Sequence, residues 1–118
     1  MSNNSFKTKY DFDIRKTESS KIKIKYPTRF PVIIHKSKKC KLDNIEKTKF
    51  LIPGDLTMGQ VIYIIRKRIK IDDTETIFLF VNDNVLPPTS STISSIYDQN
   101  KDDDGFLYIS YCNENVFG

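Results

Sequence analysis

The chain has 118 residues, 38% hydrophobic and 29% charged, which is enough for one modest core, too little for two, and too apolar for disorder. Its net charge of +4 is uneven: residues 1–50 carry 14 Lys/Arg against 5 Asp/Glu, and residues 51–118 carry 5 against 10. No apolar run approaches the ~20 residues of a membrane span, and one histidine with two distant cysteines argues against a zinc site or a His-based triad.

Residues 1–7 lack the apolar centre of a secretory signal, so the chain is expected in the cytosol with Cys40 and Cys112 reduced. Residues 5–25 are lysine-rich. Asp11 suits an N-cap, and Ile14, Glu18, Lys21, Ile22 and Lys25 recur at helical spacing, so one or two short helices are predicted. The apolar stripe is thin, centred on Phe12 and Ile22, as for a helix lying across a surface. Tyr26-Pro27 ends it, because the residue before proline is pushed out of the helical region.

Residues 30–35 read as a strand, with Phe30, Val32 and Ile34 on one face and Pro31 and Ile33 on the other. Both faces are apolar, as in a sandwiched strand or one whose second face binds something. Pro31 cannot donate to a ladder, which suits a strand end or a bulge. A basic loop follows, then a strand over 48–53 with Phe50 and Ile52 opposite Lys49 and Leu51, stopped by Pro53-Gly54. These two strands are expected to pair antiparallel.

Thr57 and Gln60 form a capping-box pattern at the start of the clearest helix. Met58, Val61, Ile62, Ile65 and Ile69 fall on one face, and Arg66, Lys67, Arg68 and Lys70 are expected in the last turn, where cations suit the helix dipole. Residues 76–81 read as a third strand ended by Asn82-Asp83-Asn84. A short helix is expected within 90–99 on Ile93, Ile96 and Tyr97, then an acidic turn over 101–105. Residues 106–112 read as a last buried strand, and the final residues, ending in Gly118, cannot continue its alternation.

A hairpin, a crossing helix and strands rejoining the same sheet describe an α+β fold of the β-grasp type, with 106–112 parallel to 30–35 in the centre. Strand 48–53 is left at an edge, where free amides could recruit an extended peptide. The basic first half calls for an acidic partner, whether a protein segment, anionic lipid or nucleic acid; a solvated surface is the plainer alternative.

Tyr26-Pro-Thr-Arg-Phe-Pro-Val-Ile33, Lys49-Phe-Leu-Ile-Pro-Gly-Asp-Leu-Thr-Met-Gly-Gln60, Ile65-Arg-Lys-Arg68, Leu86-Pro-Pro-Thr-Ser90 and Phe106-Leu-Tyr-Ile-Ser-Tyr111 together resemble the GABARAP-type, autophagy-related protein 8 family of ubiquitin-like modifiers. The resemblance implies a ubiquitin-like β-grasp with a four-stranded mixed sheet and two extra N-terminal helices. It divides the chain into 1–28 (helical), 29–112 (β-grasp) and 113–118 (conjugation tail). It implies no enzyme and no cofactor or metal, but a modifier of autophagosome formation whose Gly118 is joined to phosphatidylethanolamine by E1-like and E2-like enzymes. A cysteine protease would trim precursors and remove the lipid. The expected state is a cytoplasmic monomer that moves to the autophagosome membrane when lipidated.

The resemblance also implies docking of receptors with W-x-x-L-type motifs. Glu18, Ile22, Pro31, Ile33, Lys49, Leu51 and Phe106 would form the aromatic pocket. Phe50, Ile52, Pro53, Leu56, Val61 and Ile64 would form the aliphatic one, and Arg29, Lys47, Lys49 and Arg68 would meet acidic flanks. Val61 and Gly105 stand where aromatics are frequent, and one residue is inserted near Asp83-Asn84. An unconjugated adaptor or trafficking protein that binds the same motifs is the alternative. A nucleic-acid binder is disfavoured because no aromatics interleave with the lysines on an open sheet face.

Overall fold

In a computed structural model that describes residues 5–114, the chain forms α1 (Ser5–Lys9), α2 (Phe12–Lys25), β1 (Arg29–Lys36), β2 (Lys49–Pro53), α3 (Met58–Arg66), β3 (Phe78–Val81), α4 (Ile93–Asn100) and β4 (Leu107–Cys112). The sheet order is β2-β1-β4-β3, with only the central β1–β4 pair parallel. This is the α+β, β-grasp arrangement the sequence predicts, with two helices ahead of it.

The two apolar faces of β1 explain the layers. Val32 and Ile34 join Phe50, Ile52, Leu79, Val81, Leu107, Ile109 and Tyr111 in the main core under α3 and α4. On the opposite face Ile33, Phe106 and Tyr108 meet Ile22 of α2, with Phe6 and Leu51 packed against them. Pro31 lies within the strand, opposite Leu51, and not at its end. Ile34 N–H donates to the Thr48 carbonyl, so even-numbered amides of β1 face β2 and the nitrogen of Pro31 faces the other way. The ladder with β4 begins only at Val32, so no strand bond is lost there.

Three elements depart from the sequence reading. The buried face of α2 is Arg15, Ser19 and Ile22, whereas Phe12 is largely exposed. Helix α3 has its full capping box at Thr57 and Gln60 but ends at Arg66. Arg68 and Lys70 therefore lie beyond it, although Ile69 is still buried in the core. Gly105 adopts φ +89°, and a Cβ there would stand 2.2 Å from Ser19 Oγ, so with Ser19 packed against it this chain has no room for a side chain at that position.

Asp104, in the turn before β4, joins the helical layer to the sheet. It is fully buried; Arg15 Nη1 donates to its Oδ2 at 2.7 Å and Tyr108 Oη donates to the same oxygen at 2.5 Å. The Phe106 N–H donates to Oδ1 at 2.8 Å, and Ser19 Oγ donates to the Asp104 carbonyl. Burial, reinforced by the bond to Asp104, pushes the Tyr108 phenol well above its ordinary range. At the far end of β3, Asn82 and Asp83 take left-handed backbone conformations and close the turn that pairs Val81 with Val85.

Candidate peptide-binding edge

Strand β2 is the site's backbone. Residues 30/52, 32/50 and 34/48 are the hydrogen-bonded pairs with β1, which leaves the N–H and C=O of Lys49 and Leu51 pointing away from the sheet. Arg29 Nη1 donates to the outward Leu51 carbonyl at 3.2 Å. Among the described residues β2 has no second strand neighbour.

On the α2 side of this edge the structure brings together all seven residues of the expected aromatic pocket. Ile22, Ile33 and Phe106 form one cluster with Leu51 against it, and Pro31 stands opposite Leu51. Ile33 and Phe106 are closed to solvent and make a floor; Leu51, Lys49 and Glu18 are the accessible members. Lys49 Nζ is ion-paired with Glu18, tying β2 to α2 across the opening. A cavity of about 330 Å³ lined by Phe6, Lys9, Tyr10, Glu18, Thr48 and Lys49 adjoins that pair.

The expected aliphatic set lies on the α3 side. Phe50, Ile52 and Val61 are core residues, with Leu56 and Ile64 partly buried against them and Pro53 half-buried at the strand's end. Val61 is wholly enclosed, so its small size shapes the packing beneath the surface and not an open wall. Lys47 and Arg68 both lie over the Phe50 ring, at 5.1 and 5.2 Å from its centroid, and hold two cations beside the edge. Arg29 is the third, at the opposite end of β2.

Gly118 lies outside the described residues, as do residues 115–117. The Arg15–Asp104 network is not among the residues the sequence pointed to. Its one signal is the run Asp102-Asp103-Asp104 facing a basic helix: Lys7 pairs with Asp102 at 2.7 Å, and Lys16 donates to the Asp103 carbonyl.

Comparison with known proteins adds the following. The family model described as "Autophagy protein Atg8 ubiquitin like" matches residues 14–118. The chain is 55% identical to Autophagy-related protein 8e of Arabidopsis thaliana over 113 residues, covering 96% of this chain and 92% of that one. It is 53% identical to Autophagy-related protein 8 of Coccidioides immitis (strain RS), over 96% of each. Among solved structures, Trypanosoma brucei ATG8 superposes with a TM-score of 0.89 at 34% identity, covering 98% of this chain and 99% of that one.

Proposed function

Because the chain belongs to the Atg8 family of ubiquitin-like autophagy proteins, we propose that it is a modifier joined through Gly118 to phosphatidylethanolamine, and that its β2 edge gathers receptors onto the membrane so decorated. The observation that carries the recruiting half is the free edge between two apolar sites. A peptide strand added to β2 would bond to the outward amides of Lys49 and Leu51. Successive residues of a strand point to opposite faces, so residues three apart lie on different sides of the extended sheet. An aromatic would then reach the Leu51–Ile33–Phe106 side while an aliphatic three residues on reaches the Ile52–Leu56–Ile64 side. That is a physical reason for aromatic-x-x-aliphatic spacing. Lys49, Lys47, Arg68 and Arg29 would meet acidic residues flanking the motif.

In the conjugating half, residues 113–118 serve as the tether. The Gly118 carboxylate attacks the α-phosphorus of ATP and pyrophosphate leaves. An E1-like cysteine thiolate displaces AMP to form a thioester, an E2-like cysteine takes the acyl group by exchange, and the lipid amine displaces that thiolate to form the amide. A residue without a side chain leaves the reacting carbonyl unhindered. The protein would then be cytoplasmic when free and on the autophagosome membrane when lipidated. Incubation with the family's conjugating enzymes, ATP and phosphatidylethanolamine vesicles should give a lipid adduct that is lost when Gly118 is deleted. No adduct, or one that survives the deletion, would leave the unconjugated adaptor as the better account.

A further inference from the structure

The peptide edge leaves one strongly charged feature without a role. Residues 36–49 carry six lysines against Asp43 and Glu46, and four of the lysines, Lys36, Lys38, Lys39 and Lys41, fall within six positions. β1 and β4 are parallel, so their C-terminal ends coincide: Lys36 stands opposite Tyr111, and the chain leaves the sheet just beyond, at Asn113. The lysine loop and the base of the tail share one end of the molecule.

The loop is fixed there by its uncharged groups. Ser37 N–H donates to the Tyr111 carbonyl at 2.9 Å, and Tyr111 Oη donates to the Asp43 carbonyl at 2.5 Å. Cys40 is buried with Cys112 and Phe80, and Ile45 enters the main core. Lys38, Lys39 and Lys41 are left exposed. Among the described residues none of these four lysines is ion-paired: the Lys/Arg pairs are Lys7–Asp102, Arg15–Asp104 and Lys49–Glu18. Of the acidic groups in the 72–75 connection, Asp73 is exposed, while Asp72 and Glu75 have other partners. Asp72 accepts from Thr74, and Glu75 accepts from Asn113 Nδ2 at 3.1 Å.

We propose that this end of the sheet docks on an anionic bilayer, with Lys36, Lys38, Lys39 and Lys41 against anionic lipid headgroups. The inference rests on the proposed lipid conjugation, which decides which end faces the membrane. A six-residue tether from Asn113 to Gly118 reaches at most about 20 Å, so the loop is drawn toward the zone, about 8 Å deep at physiological salt, where a bilayer's negative potential acts. One lipid attachment gains from a polybasic partner. A bilayer fits better than nucleic acid, because residues 36–42 hold no aromatic on which a base could stack. It fits better than a peptide strand, because the outward amides of the edge belong to Lys49 and Leu51.

The test uses the free, full-length protein, so that it reads the surface independently of conjugation. Sedimentation with phosphatidylcholine vesicles containing about 30% phosphatidylserine should show binding that weakens as ionic strength rises from about 0.01 M to about 0.15 M. Vesicles of phosphatidylcholine alone should bind little. Each lysine near an anionic surface contributes about fivefold in partitioning (about 1 kcal/mol). The variant K38S/K39S/K41S should therefore bind about a hundredfold more weakly, while K16S/K21S/K25S, with the same change of charge on α2, stays close to the parent. Equal binding by the parent and the loop variant overturns the proposal, as does an equal loss in the α2 variant. So does a loop variant that keeps its vesicle binding but loses affinity for an acidic W-x-x-L peptide, which would place the lysines in the peptide site. Failure of enzymatic conjugation alone, with vesicle binding intact, would count against the modifier reading and not against this charged surface.

Discussion

His35 holds both ring nitrogens out of contact with solvent. Neither ring nitrogen has a hydrogen-bond partner among the described residues, and Asp83 approaches Nε2 only to 3.8 Å. Burial lowers its pKa below the ordinary 6.5 and outweighs the opposing pull of Asp83. The unfolded chain therefore binds a proton more readily than the native one. The stability held by neutral His35 is complete above pH 6.5 and is lost as pH falls from there through the lowered native value. Thermal melts across that window should show a smaller acid-side loss of stability in His35→Gln than in the parent; parallel curves would remove the assignment. Asp104 is the opposite case, a buried charge with every partner in place. Asp104→Ala strands the Arg15 guanidinium and the Tyr108 hydroxyl, and should lower unfolding free energy by about 3–5 kcal/mol in a denaturant titration. A loss below about 1 kcal/mol would mean that the helical layer is held by its apolar contacts alone.

At the scale of elements, β2 carries the functional account. Leu51→Ala should weaken an acidic W-x-x-L peptide by roughly tenfold or more, and Lys49→Ala by less, since Lys49 already spends part of its charge on Glu18. Unchanged affinities in isothermal titration would move the site elsewhere. β2 is legible in the sequence because a half-buried strand writes its burial as alternation, and β1 and β4 because strands buried on both faces read as short continuous apolar runs. Thr57 and Gln60 announce the start of α3 in their side-chain chemistry. The inner face of α2 is not legible, because it is built from Arg15 and Ser19, polar residues that hydropathy assigns to the surface. The end of α3 is misread for the converse reason: Ile69 keeps the helical period but is buried from the connection after the helix. Gly105 is intelligible only with Ser19 against it, a neighbour 86 positions away in the chain.

In the molecule as a whole, the sheet places different work at its margins. Its β2 edge is where we propose that extended peptides dock, its outer face holds α2 through the Asp104 network and α1 through Phe6 and the Lys7–Asp102 pair, and the end where β1 and β4 finish presents lysines beside Asn113. Joined to a lipid there, the protein would face the membrane with its basic loop while its peptide edge stayed open at the side of the sheet. The expected pocket residues come from a family pattern that spans the chain, and the strand period alone does not single them out. The lysine loop gained meaning only when the parallel β1–β4 pair set Lys36 beside Tyr111. The central claim is that the tail delivers this surface to a membrane. Mass spectrometry of the C-terminal peptide, from protein isolated out of cells induced for autophagy, reads it directly. The account predicts a population carrying phosphatidylethanolamine in amide linkage on Gly118; a C-terminus found only as the free carboxylate, while autophagosomes accumulate, would contradict it.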